Sequence, residues 1–167
     1  MAIALDTVEV ALATTRVVVV TSQEAAPAFE GIGAMVVLDP ASGLAGAVLA
    51  GIAAAGAGAV AVMLGDLPAL RSHELAGALA QAADHRRAMV ADAENEGTTL
   101  ITALQAVDHA PAFGSGSRAA HVVARYAELV VSPDSGLRRD VDTMGQLTAL
   151  ASRLGPRTAL ALATKTG

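Results

Sequence analysis

The sequence predicts an α/β sandwich built around a mostly parallel sheet. Helical segments alternate along it with short runs of β-branched residues. One of those runs, Ala59–Leu64, is apolar without a break, as a strand covered on both faces must be. The 167 residues, 53% of them hydrophobic, suffice for one domain with its own core, and rule out intrinsic disorder.

The elements follow in order. Ile3, Leu5, Val8 and Leu12 recur at helical spacing over residues 3–14. Val17–Val20 reads as a strand ending at Thr21-Ser22, and Met35–Leu38 as a second strand closed by Asp39-Pro40. Gly43–Ala55 predicts a small-residue helix, and Ala59–Leu64 the third strand. The uncharged stretch Leu44–Leu64 is long enough to span a bilayer. Its Ala and Gly content, with Gly56 and Gly58 near the middle, favours helix, turn and strand over a membrane segment. Ser72 is placed to cap a helix running to about Asp84. Arg87–Ala91 and Thr98–Ala103 predict strands, Ser117–Ala127 a helix and Leu129–Val131 another strand. The last helix is expected from near Thr143, after Asp142, to a stop at Gly155-Pro156. No repeat, low-complexity tail or linker interrupts the pattern, so residues 1–167 are expected to form a single domain.

Composition narrows the function. There are 11 basic against 16 acidic residues, a net charge of −5, and Lys165 is the lone lysine. Such a chain has no broad surface for phosphates, so a phosphorylated ligand needs focused donors or a divalent cation. With 2% aromatic residues, base-stacking on nucleic acid is not expected. The absence of cysteine excludes disulfides, thiolate metal sites and a cysteine nucleophile, and fits a cytoplasmic protein. Met1–Asp6 lacks a basic start and makes a poor signal peptide.

Three segments have chemical potential. Gly65-Asp66-Leu67-Pro68 follows the third strand, and ligands of open α/β sheets bind beyond the carboxyl ends of strands. Asp66 is either a crevice carboxylate or an ordinary turn residue. In Arg139-Asp140-Val141-Asp142-Thr143, an extended backbone turns Asp140 and Asp142 to one side and Val141 to the core. Clustered carboxylates take up a proton or a cation, and oxygen-only ligation suits Mg²⁺. The competing reading has Asp142 capping the last helix with help from Thr143 and Gln146. Gly114-Ser115-Gly116-Ser117-Arg118 precedes a helix, and is either a phosphate cradle or a plain glycine loop with a serine cap. His73, His85, His109 and His121 show no metal spacing; His73 and His85 read as exposed helix residues, and His109 and His121 lie too far from any Ser or Asp pattern for a triad.

Four motifs occur in one order: Gly65-Asp66-Leu67-Pro68-Ala69-Leu70; His85-Arg86-Arg87 with Ala91-Asp92; Phe113-Gly114-Ser115-Gly116-Ser117; and Leu137-Arg138-Arg139-Asp140-Val141-Asp142-Thr143. Over essentially the whole chain this series resembles the 2-phospho-L-lactate/phosphoenolpyruvate guanylyltransferases of deazaflavin coenzyme biosynthesis. The resemblance implies a three-layer, Rossmann-like nucleotidyltransferase fold. It also implies attack of a phospho-acid phosphate on the α-phosphorus of GTP, with release of pyrophosphate. By position, Asp66, Asp140 and Asp142 match the catalytic carboxylates that hold Mg²⁺, and Thr98, Gly114 and Ser117 match the residues that hold the phospho-acid. Members of the family begin with a strand and a basic nucleotide loop, whereas this chain starts at the match to the following helix. The resemblance therefore implies an N-terminally shortened member lacking that first strand and loop. Leu44-Ala45-Gly46-Ala47 stands where the family shows Leu-Asn-x-Ala near the nucleotide. A vacated central strand would leave backbone unpaired. The sheet is then expected to close by another route, by a partner chain in a homo-oligomer, or by residues upstream. The alternatives are a non-catalytic phospho-acid-binding or assembly module of the same fold, and a nucleotidyltransferase acting on a sugar phosphate or molybdopterin.

Overall fold

The computed structural model describes residues 1–165. It is an α/β structure whose elements run α1 (Ala2–Leu12), β1 (Val18–Thr21), α2 (Ala26–Glu30), β2 (Met35–Leu38), α3 (Gly43–Ala55), β3 (Val60–Met63), α4 (Ser72–Ala82), β4 (Arg87–Ala91), β5 (Thr98–Ala103), α5 (Ser117–Val123), β6 (Ala127–Glu128), α6 (Met144–Ala149) and α7 (Pro156–Lys165). No described helix is long and apolar enough to cross a membrane.

The strands form two sheets. β1 and β2 make a parallel pair, and the others are ordered β3-β5-β4-β6. β4 and β6 are parallel, whereas β5 runs antiparallel to both its neighbours. The connection 92–97 into β5 is too short for a parallel crossover, which takes about a dozen residues. β4 and β5 are buried nearly throughout. Leu67, Leu70, Leu75, Leu100 and Leu137 pack on one side of this sheet. Met89, Ile101 and Tyr126 pack on the other.

Between the sheets lies an apolar cleft of about 900 Å³. Strands β1 and β3 flank it, α1 contributes Thr7, Val8 and Ala11, and α3 contributes Val48, Gly51 and Ile52. No described strand joins β1 to β3.

Several boundaries differ from those the sequence predicts. Arg71, not Ser72, caps α4, and Glu74 Oε2 accepts the Arg71 amide at 2.9 Å. Helix α5 stops at Val123 because Arg125 adopts φ 63° and the Tyr126 amide returns to the His121 carbonyl at 3.0 Å. The chain therefore enters β6 early. Leu129 still donates to Met89 at 2.8 Å, but Val130 lies in the open, so the strand expected at Leu129–Val131 is displaced. Gly155-Pro156 does not end the last helix. A 3-10 turn at Ala151–Arg153 separates α6 from α7, and Pro156 opens α7, where its missing N–H costs nothing. The buried Asp6 of α1 caps α7, accepting from the Arg157 amide at 3.2 Å, the Thr158 amide at 2.8 Å and the Thr158 hydroxyl at 2.7 Å. Arg157 also pairs with Glu9. The short helix α2 had no clear sequence signal.

Candidate active site

The loop after β3 carries Asp66, and the segment after β6 carries Asp140. Three contacts hold these two stretches together. The Val141 amide donates to the Asp66 carbonyl at 3.2 Å. Gly136 lies so close to Ala69 that a β-carbon there would overlap the Ala69 carbonyl. Glu74 Oε1 accepts the Gly136 amide at 3.0 Å, tying the second stretch to the start of α4.

A third stretch, 92–97, is pinned by Asp92 at the end of β4. Its Oδ1 accepts the Glu96 amide at 2.9 Å and its Oδ2 the Gly97 amide at 2.6 Å. A side chain at Gly97 would collide with that carboxylate. Arg138 clamps the same stretch, donating to the Asp92 carbonyl at 2.6 Å and to Asn95 Oδ1 at 2.7 Å. The sheet thus presents Asp66, Asp92 and Asp140 at the carboxyl ends of β3 and β4, where open α/β sheets bind ligands.

The tightest carboxylate group is Asp92, Glu94 and Asp140, whose ligand atoms lie within 4.8 Å of one another. Asp66 and Asp142 lie outside this group and act on Asp140 through their charge. Burial, then the negative charges of Asp66, Asp92 and Asp142, pushes the Asp140 carboxyl up to about 6. Asp66 is also raised, by burial first and by Asp142 as well, and its Oδ1 is buried without a partner. Thr143, not Asp142, caps α6: its hydroxyl accepts the Gln146 amide at 3.2 Å, while Gln146 Oε1 accepts the Asp142 and Thr143 amides. Asp142 is exposed, and its carboxylate is not used as a cap.

Thr98 and Ser117 are both buried. Thr98 opens β5, next to a register break between Val90 and Ala91. Ser117 opens α5, whose Arg118 amide donates to the Glu96 carbonyl at 3.2 Å, so the glycine loop adjoins stretch 92–97. Gly114 is exposed in that loop, and the Ser117 amide bonds its carbonyl at 3.0 Å. The Ser117 hydroxyl has no partner among the described residues. A small polar cradle therefore stands beside the acidic group.

Sequence reasoning passed over Asp92, Glu94, Arg138 and His121 as site residues. The rule that singled out Asp66, a carboxylate just past a strand, applies equally to Asp92. His121 lies four residues after Ser117 and shares its helix face.

Comparison with known proteins agrees with this architecture. A family described as the MobA-like NTP transferase domain matches residues 2–160. The phosphoenolpyruvate guanylyltransferase of Thermomonospora curvata is 47% identical over 169 residues, covering 95% of this chain and 74% of its own. The enzyme of that name from Geodermatophilus obscurus is 46% identical over 168 residues, covering 97% and 77%. That from Streptosporangium roseum is 43% identical over 167 residues, covering 95% and 75%.

Proposed function

The chain belongs to the MobA-like NTP transferase family and is a nucleotidyltransferase, and from that premise we propose that it joins the GMP moiety of GTP to phosphoenolpyruvate. A phosphate oxygen of the acid attacks the α-phosphorus of GTP, the bond to the β-phosphate oxygen breaks, and pyrophosphate leaves. 2-Phospho-L-lactate is an acceptor of the same class, and the product enters deazaflavin coenzyme biosynthesis in the cytoplasm. The relatives' shared name supports the acceptor. The observation that carries the reading is the coupled set of carboxylates beside two hydroxyls and a glycine loop.

The donor set fits Mg²⁺. It is oxygen-only, Asp66 Oδ1 is buried without a partner, and Asp140 is raised by burial first and then by the negative charges of Asp66, Asp92 and Asp142. Asp66, Asp140 and Asp142 would hold the ion, with Asp92 next to Asp140. When bound, Mg²⁺ neutralises the phosphate charge that an acidic protein would otherwise repel. Thr98, Gly114 and Ser117 hold the acid's phosphate through hydroxyls and backbone amides. Catalysis then consists of positioning two anions in line, with no covalent enzyme intermediate.

The test is incubation with GTP, phosphoenolpyruvate and Mg²⁺, followed by pyrophosphate release and ³¹P NMR of the new phosphoanhydride. Release that needs both substrates supports the assignment. Absence of release, or release independent of the phospho-acid, refutes it.

A further inference from the structure

His121 is wholly buried, yet both its ring nitrogens are engaged. The Ala112 amide donates to Nε2 at 2.9 Å, so Nε2 must present a lone pair. A ring protonated on Nε2, whether as the other tautomer or as the cation, would set two N–H groups against each other. The single hydrogen of the neutral imidazole therefore sits on Nδ1, 3.0 Å from Thr98 Oγ1. Thr98 accepts it. The hydroxyl's own hydrogen then has no acceptor among the described residues.

A break in strand register makes this contact. In a regular strand Thr98 would share the face of Leu100, towards Leu67 and Leu75. The register runs Val90 with Leu100 and then Ala91 with Thr98, so β5 has one extra residue there. Such a bulge re-aims the side chain beside it. Thr98 is thereby turned to the face of Ile101 and Tyr126, where His121 packs edge-on against Tyr126, with ring centroids 5.1 Å apart. Phe113 of the glycine loop packs edge-on against the same imidazole, with ring centroids 5.5 Å apart.

We propose that His121 is a positioning residue for the phospho-acid: through its fixed tautomer it commits the Thr98 hydroxyl to donate towards the ligand's phosphate, and through Ala112 it sets the glycine loop against Thr98. This rests on the reading of Thr98, Gly114 and Ser117 as the phospho-acid cradle. Burial, and then the nearby His109, lowers the His121 pKa, which keeps the ring neutral.

The test has two arms. Long-range ¹H–¹⁵N NMR of the full chain reads the tautomer directly, and Nδ1–H with bare Nε2 is expected. Calorimetric titration with phosphoenolpyruvate and Mg²⁺ then compares the wild type with Thr98→Val, Thr98→Ser, His121→Phe and the Val/Phe double variant. Thermal melts confirm folding, and phenylalanine keeps the aromatic packing. Thr98→Val and His121→Phe each weaken binding about tenfold or more, as loss of a hydrogen bond to a charged group does. Thr98→Ser stays within about threefold of wild type. The double variant is no worse than His121→Phe alone, because that variant already loses both the loop tie and the set direction of the Thr98 hydroxyl. An Nε2–H signal overturns the role of His121 whether or not the acid binds, and strictly additive losses overturn it where the wild type binds the acid. The expected tautomer with no phosphoenolpyruvate binding by the wild type instead overturns the cradle reading, and with it this role.

Discussion

Replacing Asp140 with asparagine should stabilise the fold while destroying the site. Asp140 shares a space of 4.8 Å with Asp92 and Glu94, and takes no hydrogen bond from another described residue that the change would break. Two unit charges at that distance repel by about 3.5 kcal/mol at an effective dielectric of 20 and about 0.9 kcal/mol in bulk water. Glu94 is exposed and Asp140 is half-buried, so the relief falls at the lower end, about 1–2 kcal/mol. For a chain of this size that raises Tm by about 2–8 °C at pH 7.5. The pH dependence follows from the raised carboxyl. Below about pH 4 Asp140 is neutral both folded and unfolded, and no penalty exists. As pH rises through about 6 the folded state must accept the charge, and wild-type stability is lost relative to the variant. The gap between the two melts should therefore be full at pH 7.5 and vanish below about pH 4. Added Mg²⁺ raises the wild-type Tm and leaves that of Asp140→Asn nearly unchanged. Equal Tm values at pH 7.5, or a gap that does not close in acid, would refute this electrostatic account.

Three further outcomes test the framework around the site. Gly136→Ala forces a methyl into the Ala69 carbonyl and should cost about 2–4 kcal/mol, read by urea denaturation. Asp6→Ala strands three donors at the start of α7 and should cost about 2–3 kcal/mol, with α7 losing amide protection first. Hydrogen exchange should run about a hundredfold or more faster in β1 and β2 than in β4 and β5. The former are a two-stranded pair beside an open cleft, and the latter lie inside a four-stranded sheet.

Much of the fold was legible because periodicity and apolar runs decide local structure. Met35–Leu38, Gly43–Ala55, Arg87–Ala91 and Thr98–Ala103 have the same ends in the structure as in the sequence reading. What was not legible depended on tertiary partners. The cap that starts α7 comes from Asp6 on a distant helix, so the Gly155-Pro156 stop was read as an end. The early finish of α5 depends on Arg125 at positive φ, which its residue type does not announce. At the site, Asp66 and Asp140 were singled out from strand ends and spacing. Asp92 and Glu94 approach Asp140 where Arg138 draws the 92–97 stretch against the Asp140 segment, which no local sequence signal announces. His121 was read as too far from any Ser or Asp pattern to form a triad, and its link to Thr98 depends on the bulge in β5.

Carboxylates from separate stretches are proposed to share a divalent cation at the carboxyl edge of the sheet. Crystals soaked in Mn²⁺ and measured at the manganese absorption edge decide the matter. An anomalous peak touching both Asp66 and Asp140, absent from Asp140→Asn, is the predicted result. A peak remote from Asp66, or none at all, would contradict it.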